Sequence, residues 1–342
     1  MQTHNLGYPR IGSNRALKKA SEHYWAGKIS LADLLRKGKE ITEQNWKIQQ
    51  KAGIDLIPSN DFSYYDQILD MSLTVGAIPK RYNQVVLTKA NNELDLYFAM
   101  ARGYQKDGLD ITAMEMTKWF DTNYHYIVPE FFKDQAFSLF SDKVITEFVR
   151  AKQLGITSKP VIIGPVSYLL LGKEKEAGFD KLDLIKKLLP VYLQLLGELK
   201  NQGAEWVQFD EPFLALDIDE KAKEAFIFVY AEIRKQFPKL KILVATYFEG
   251  LKDNLVLAIN LPITALHIDL VRSPEQLDDV LNAIPKDMML SLGVVDGRNI
   301  WRNDFELSLS IIKKAVAKLG TSRLLIAPSC SLQRRYKTPQ KQ

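Results

Sequence analysis

The chain has 342 residues, and 46 lysines and arginines against 41 acids leave a net charge of +5. No apolar run approaches the roughly 20 residues of a membrane-spanning helix, and the basic excess is too small and too dispersed for a nucleic-acid footprint. The first residues carry no export pattern and the one cysteine, Cys330, excludes an internal disulfide, so a cytoplasmic protein with neither nucleic-acid nor membrane partner is expected.

Along the chain, short β-branched or apolar runs alternate with amphipathic stretches, which is how strand-helix units read. A first run at 4–6 leads into a Gly- and Pro-shaped turn and a basic helix. Ser30 and Asp33 then form a helix start, and Gly53 marks its stop. A second run at 54–57 opens a long excursion, about 62–158, with helical stretches at 66–75 and 89–102. Runs at 160–163, 206–209, 242–245, 265–268, 288–292 and 324–327 follow. Helices are expected at 182–203, interrupted near Pro190, and at 220–236. Eight strands each followed by helix predict an α/β fold, a TIM-type (βα)8 barrel over 1–332 with a long, mostly helical insertion between strands 2 and 3. The polar tail 333–342 is expected to fray.

In such a barrel, chemistry gathers where strands end. There the sequence places the carboxylates Asp61, Asp210, Glu211, Asp269 and Asp296. They can converge for acid-base work or cation binding, or they can cap helices and pair with Arg10 and Arg298. His4 and His267 lie inside apparent strands and read as core histidines. His23 and His125 are scattered, and Cys330 has no cysteine partner, so no metal site is expected in this chain. No Walker loop, dinucleotide fingerprint, nucleophile elbow or H-E-x-x-H is present. The turn Gly7-Tyr8-Pro9-Arg10-Ile11-Gly12 leads instead into Arg15, Ala16, Leu17, Lys18 and Lys19, predicted to occupy the first turns of a helix. Its N-terminus attracts anions, so the segment is a candidate carboxylate clamp as well as an ordinary solvated helix.

Several segments carry a resemblance. They include the turn above with Arg15 to Lys19, Ala52-Gly53-Ile54-Asp55-Leu56-Ile57-Pro58, Glu115-Met116-Thr117-Lys118-Trp119-Phe120-Asp121, Phe209-Asp210-Glu211-Pro212 and Thr246-Tyr247-Phe248-Glu249-Gly250. In this order they resemble the N-terminal half of the cobalamin-independent methionine synthases, folate-dependent homocysteine methyltransferases. The resemblance implies contact with 5-methyltetrahydropteroyltri-L-glutamate through Arg15, Ala16, Leu17, Lys18 and Lys118, with no catalytic residue of its own. It further implies that zinc sits in a C-terminal barrel of the same enzyme, a partner this sequence does not contain, because it departs from the family after Leu332. The chain is therefore expected to scaffold methyl transfer to L-homocysteine and to be inactive alone. Two alternatives stay open: a non-enzymatic folate- or polyanion-binding module, and a barrel enzyme with carboxylate chemistry of its own.

Overall fold

In a computed structural model that describes residues 1–87, 92–106 and 108–332, the apolar runs resolve into one eight-stranded parallel sheet. Its strands are β1 (Gln2–Thr3), β2 (Ile57–Ser59), β3 (Ser158–Ile163), β4 (Trp206–Asp210), β5 (Lys241–Ala245), β6 (Ala265–Asp269), β7 (Met289–Val295) and β8 (Leu324–Pro328). In space they run β1-β8-β7-β6-β5-β4-β3-β2. The sheet curls until its two ends meet in a parallel bridge between His4 and Leu56, where the Leu56 amide donates to Thr3 O at 3.1 Å.

The first two strands stand away from the apolar runs that predict them. After His4 the chain leaves the ladder, because the carbonyl of Asn5 accepts from Lys159 Nζ at 2.8 Å and that of Leu6 from Gln208 Nε2 at 3.1 Å. At the second run, Asp55 is drawn off to Thr3, whose amide donates to Oδ2 at 2.7 Å, so β2 starts only at Ile57.

Helices pack outside the sheet. Between β1 and β2 come α1 (Ala16–Trp25) and α2 (Leu31–Lys51). Ser30 and Asp33 form the reciprocal capping box at the start of α2. At its end Gly53, with φ of +79°, donates to Gln50 O while Ile54 donates to Gln49 O, the 6→1 and 5→2 pattern that a left-handed glycine permits. Between β2 and β3 lie α3 (Gln67–Thr74), α4 (Asn83–Leu87), α5 (Glu93–Arg102) and α6 (Lys143–Gln153). Two antiparallel hairpins share this segment, one pairing Met116–Lys118 with His125–Ile127. Of the helix expected over 89–102, residues 89–91 lie outside the described residues, as does the tail 333–342. Helix α6 packs on β2 and β3 and so serves as their crossover, which moves the boundary of the excursion inward from 158.

The later units follow the expected rhythm with α7 (Pro165–Leu171), α8 (Ile185–Asn201), α9 (Glu220–Gln236), α10 (Leu255–Asn260), α11 (Gln276–Ala283) and α12 (Phe305–Leu319). Pro190 does not interrupt α8, contrary to expectation. It lies on the solvent face with Lys186, whose carbonyl loses its i+4 donor where water can replace it.

The sheet's interior carries a polar layer. Ser291 Oγ lies 2.7 Å from His4 Nε2 and 2.8 Å from His267 Nδ1, and His267 Nε2 faces the Ser329 carbonyl at 3.3 Å. A carbonyl only accepts, so His267 donates through Nε2, takes the Ser291 proton on Nδ1, and leaves Ser291 to accept from His4. Burial pushes His267 down to about 4 and His4 well below its ordinary value, which keeps both rings neutral. Gly293 lies in this crowded zone: a Cβ there would stand 2.6 Å from Ile268 O and 2.8 Å from Ser329 Cα, both backbone atoms. Gly293→Ala is therefore expected to destabilise the fold by about 1 to 3 kcal/mol, read as a lower urea midpoint at unchanged slope.

Candidate functional site

The turn after β1 stands at the mouth of the sheet, where the strands end. Asn14 and Arg15 adopt left-handed backbone at φ of 53° and 59°, an arrangement that costs a non-glycine residue energy and tends to gather at functional sites. Arg15 is thus the cap residue before α1 and not part of its first turn, a correction to the sequence expectation. Leu17 is fully buried against Ile41 and Phe62 and pins the turn, with its amide donating to Ile11 O at 3.0 Å. Ala16 packs beside it. Arg15 and Lys18 point to solvent, and among the described residues Lys18 makes only an exposed pair with Glu22 at 3.7 Å. Lys118 is exposed on the hairpin opposite His125. The side chains of Arg15 and Lys118 have no hydrogen-bond or ion-pair partner among the described residues.

The tip of that hairpin lies across the mouth. Asp66, the cap of α3, anchors its base by accepting from the Ile127 amide at 3.0 Å and from Tyr124 Oη at 3.1 Å. Arg10 reaches over the Tyr124 ring, 6.0 Å from its centroid, while donating to Ser63 O at 2.8 Å and to Tyr65 O. The turn that carries Arg15 and the hairpin that carries Lys118 are thereby tied together. Farther along, the Phe120 ring packs 5.6 Å from Phe213 and 5.9 Å from Phe248, beyond β4 and β5. Asp121 pairs with Arg272 at 3.0 Å and with Arg298 at 3.1 Å, beyond β6 and β7. Phe120 and Phe248 are both left-handed, at φ of 50° and 80°. Sequence reasoning left Arg272 unnamed and did not find that the hairpin tip forms a lid over the mouth, because nothing local to the Phe120-Asp121 dipeptide says which loops it meets.

The five strand-end acids are drawn into holding loops. Asp61 accepts from the Tyr8 amide at 2.8 Å. Asp210 accepts from Gln208 Nε2 at 2.6 Å and Tyr247 Oη at 3.0 Å, and Glu211 from the Ser167 amide and Tyr230 Oη, each at 2.9 Å. Asp269 takes the amides of Phe248, Val271 and Arg272, and Asp296 those of Arg298 and Asn299. This geometry favours the anchoring reading over convergent acid-base chemistry. Burial pushes Glu211 up to about 7, as it does Asp61 with the charge of Glu147 adding to it.

The family model described as cobalamin-independent synthase, N-terminal domain, matches residues 2–320. The chain belongs to that family. Among curated relatives, the 5-methyltetrahydropteroyltriglutamate–homocysteine methyltransferase of Flavobacterium johnsoniae is 62% identical over 334 residues, covering 97% of this chain and 43% of the relative. Those of Cytophaga hutchinsonii and Saccharomyces cerevisiae are 58% and 48% identical, covering 97% of this chain and 43% and 44% of the relatives. The chain thus spans less than half the length of the synthases it matches. A putative vitamin-B12 independent methionine synthase from Listeria monocytogenes shares the fold at a TM-score of 0.64 and 14% identity, covering 95% of this chain and 90% of that one. A B12-independent methionine synthase from Shewanella, solved with selenomethionine, has the same TM-score at 15% identity, covering 90% and 84%.

Zinc, which the family resemblance implies for the enzyme, does not suit the residues at this mouth. Thr246 spends its hydroxyl on His267 O at 2.8 Å, Phe248 offers no donor, and Cys330 is buried against Gly297. Among the described residues no three His, Cys, Asp or Glu side chains are grouped to hold a metal ion. Nor is any helix among them long and apolar enough to cross a membrane.

Two outcomes are expected. The folded chain holds the Glu211 proton up to about pH 7, whereas an unfolded carboxyl releases it near 4.5. The folded state therefore binds more protons between those values, and the stability from this group, complete below the lower one, declines as pH rises through 7. Glu211→Gln removes that decline, so its Tm should change less than the parent's between about pH 5 and pH 8; parallel curves would contradict this. At the lid, Asp121→Asn breaks ion pairs to exposed Arg272 and half-buried Arg298 from a carboxylate that is itself exposed and should cost about 1 kcal/mol or less, while Phe120→Ala removes ring packing and should cost about 1 to 3 kcal/mol, both read by urea titration.

Proposed function

We propose that this chain is the folate-gripping, scaffolding half of a methionine synthase, which moves a methyl group from 5-methyltetrahydropteroyltri-L-glutamate to L-homocysteine. In this reading the curled sheet acts as a closed (βα)8 barrel, and the segment between β2 and β3 is an insertion that delivers Lys118 to its mouth. The observation that carries the reading is the set of exposed cations, Arg15, Lys18 and Lys118, on a turn and a hairpin that Arg10 and Tyr124 tie together. A triglutamate tail is a flexible string of carboxylates. It is recognised by cations spaced along a surface and needs no deep pocket, and such attraction weakens with salt.

The chain's own residues would do three things. Arg15 and Lys18, beside the N-terminal amides of α1, hold one part of the tail, and Lys118 holds another. Leu17 and Ala16 keep the turn in place by packing. The lid and the loop-anchoring acids give the mouth a fixed surface against which the rest of the enzyme sets the two substrates close together. In this reading the zinc and the homocysteine site lie outside this chain, which does not turn over alone.

Calorimetric titration with 5-methyltetrahydropteroyltriglutamate tests the grip. Lys18→Ala with Lys118→Ala should together weaken binding by about 1 to 3 kcal/mol, roughly a five- to 150-fold rise in Kd, and much less for the monoglutamate. An unchanged Kd in the double variant would sink the assignment. Arg15→Gly should separate strain from binding: relief of the left-handed backbone raises Tm while triglutamate affinity falls. Loss of both would mean that Arg15 is structural.

A further inference from the structure

Arg272 and Arg298 stand on the loops after β6 and β7, and the acids at those strand ends set both in place. Asp269 accepts the Val271 and Arg272 amides at 3.0 and 2.9 Å, and Asp296 accepts the Arg298 and Asn299 amides at 2.9 and 3.0 Å. The side chains are steadied from the loop after β5. Arg272 Nε donates to Phe248 O at 3.4 Å, and the Arg298 guanidinium lies 5.4 Å from the centroid of the Phe248 ring. None of these contacts involves Asp121. The two guanidiniums are therefore arranged by the strand-end loops themselves, and two such donors aimed at one place make a receptor for a carboxylate.

The carboxylate in that receptor comes from the hairpin tip. Asp121 accepts from Arg272 Nη2 at 3.0 Å, and Arg298 Nη1 donates to both of its oxygens at 3.1 Å. All three side chains reach solvent: Asp121 is 51% exposed, Arg272 44% and Arg298 22%. Pairs this wet are weak and open to competition by another carboxylate. Lys143 shows the contrast, since it pairs with Asp70 and Glu147, both nearly buried, and fastens α6 in place. Phe120, immediately before Asp121, is left-handed at φ of 50°, and release of the tip relieves that strain.

We propose that Arg272 and Arg298 form a carboxylate-binding subsite at the mouth, which Asp121 fills as a stand-in until a carboxylate of the triglutamate tail displaces it. The inference rests on the triglutamate reading above and extends it. Lys118 precedes Asp121 by three positions on the same hairpin, so their Cα atoms lie within about 11 Å, a gap that neighbouring carboxylates of a glutamate chain bridge. Such a tail carries one carboxylate per unit and one more at its end. Arg15, Lys18 and Lys118 leave a charge unmatched, and the arginine pair takes it. A monoglutamate is too short to engage both Lys118 and the arginines, so the subsite selects for tail length.

Calorimetry with 5-methyltetrahydropteroyltriglutamate at low salt tests the subsite. Asp121→Asn removes the stand-in and leaves the arginines, so Kd should fall roughly threefold or more. Adding Arg272→Gln and Arg298→Gln to that variant should raise Kd at least about fivefold. By NMR, the Nε–H resonances of Arg272 and Arg298 in the parent should move with the triglutamate ligand and stay in place with the monoglutamate. An Asp121→Asn variant that binds no tighter, in a parent whose arginine resonances ignore the ligand, overturns the inference alone and leaves the Asp121 pairs as a structural tie. A parent that binds no triglutamate overturns the underlying reading and the inference with it. Arginines that respond while Lys18→Ala with Lys118→Ala changes nothing would uphold the subsite and remove the lysine clamp.

Discussion

Two backbone carbonyls where the chain leaves its first strand, those of Asn5 and Leu6, organise much of this molecule. They turn inward instead of joining a ladder, and a buried carbonyl without a donor is costly. Lys159 and Gln208, on β3 and β4, supply the donors from across the sheet. Burial lowers the Lys159 amine to about 7, against the opposing charges of Asp210 and Asp61, so a lysine is held here at a real electrostatic cost. What it secures is an early exit from β1, which sets the turn carrying Arg15, and the start of α1 with Lys18, at the mouth of the sheet.

The mouth is then built by tying loops to one another. Four of the strand-end acids accept backbone amides and Asp210 accepts from the Gln208 and Tyr247 side chains, and the hairpin tip spans from Asp66 and Arg10 on one side to Arg272 and Arg298 on the other. Aromatic contacts from Phe120 fill the middle. The left-handed conformations of Arg15, Phe120 and Phe248 fit this picture, since strain persists only where the surroundings over-determine it. The mouth presents cations on loops that are tied to one another, which suits the ligand-gripping role proposed for it.

Much of the frame was legible from residues alone. The strands from β3 to β8 fall on or within three residues of the apolar runs, and the Ser30-Asp33 box and Gly53 stop mark α2, because both signals are local. The first two strands were misplaced because their limits depend on donors 50 to 200 positions away. Pro190 misled for the opposite reason: proline breaks a helix only where water cannot reach the freed carbonyl, and exposure is a tertiary property. Arg15 read as helical because its left-handed backbone leaves no mark in residue type.

The sequence by itself determined the alternation of strand and helix, the family to which the chain belongs, and which cations and acids stand at strand ends, since all of these are carried by residue type and spacing. Only the tertiary structure decided that the acids hold loops, that Phe120 and Asp121 cover the mouth, and that Arg272 and Arg298 meet at one carboxylate. Each of those depends on which distant segments meet, and closure of a sheet brings together residues that no local periodicity connects.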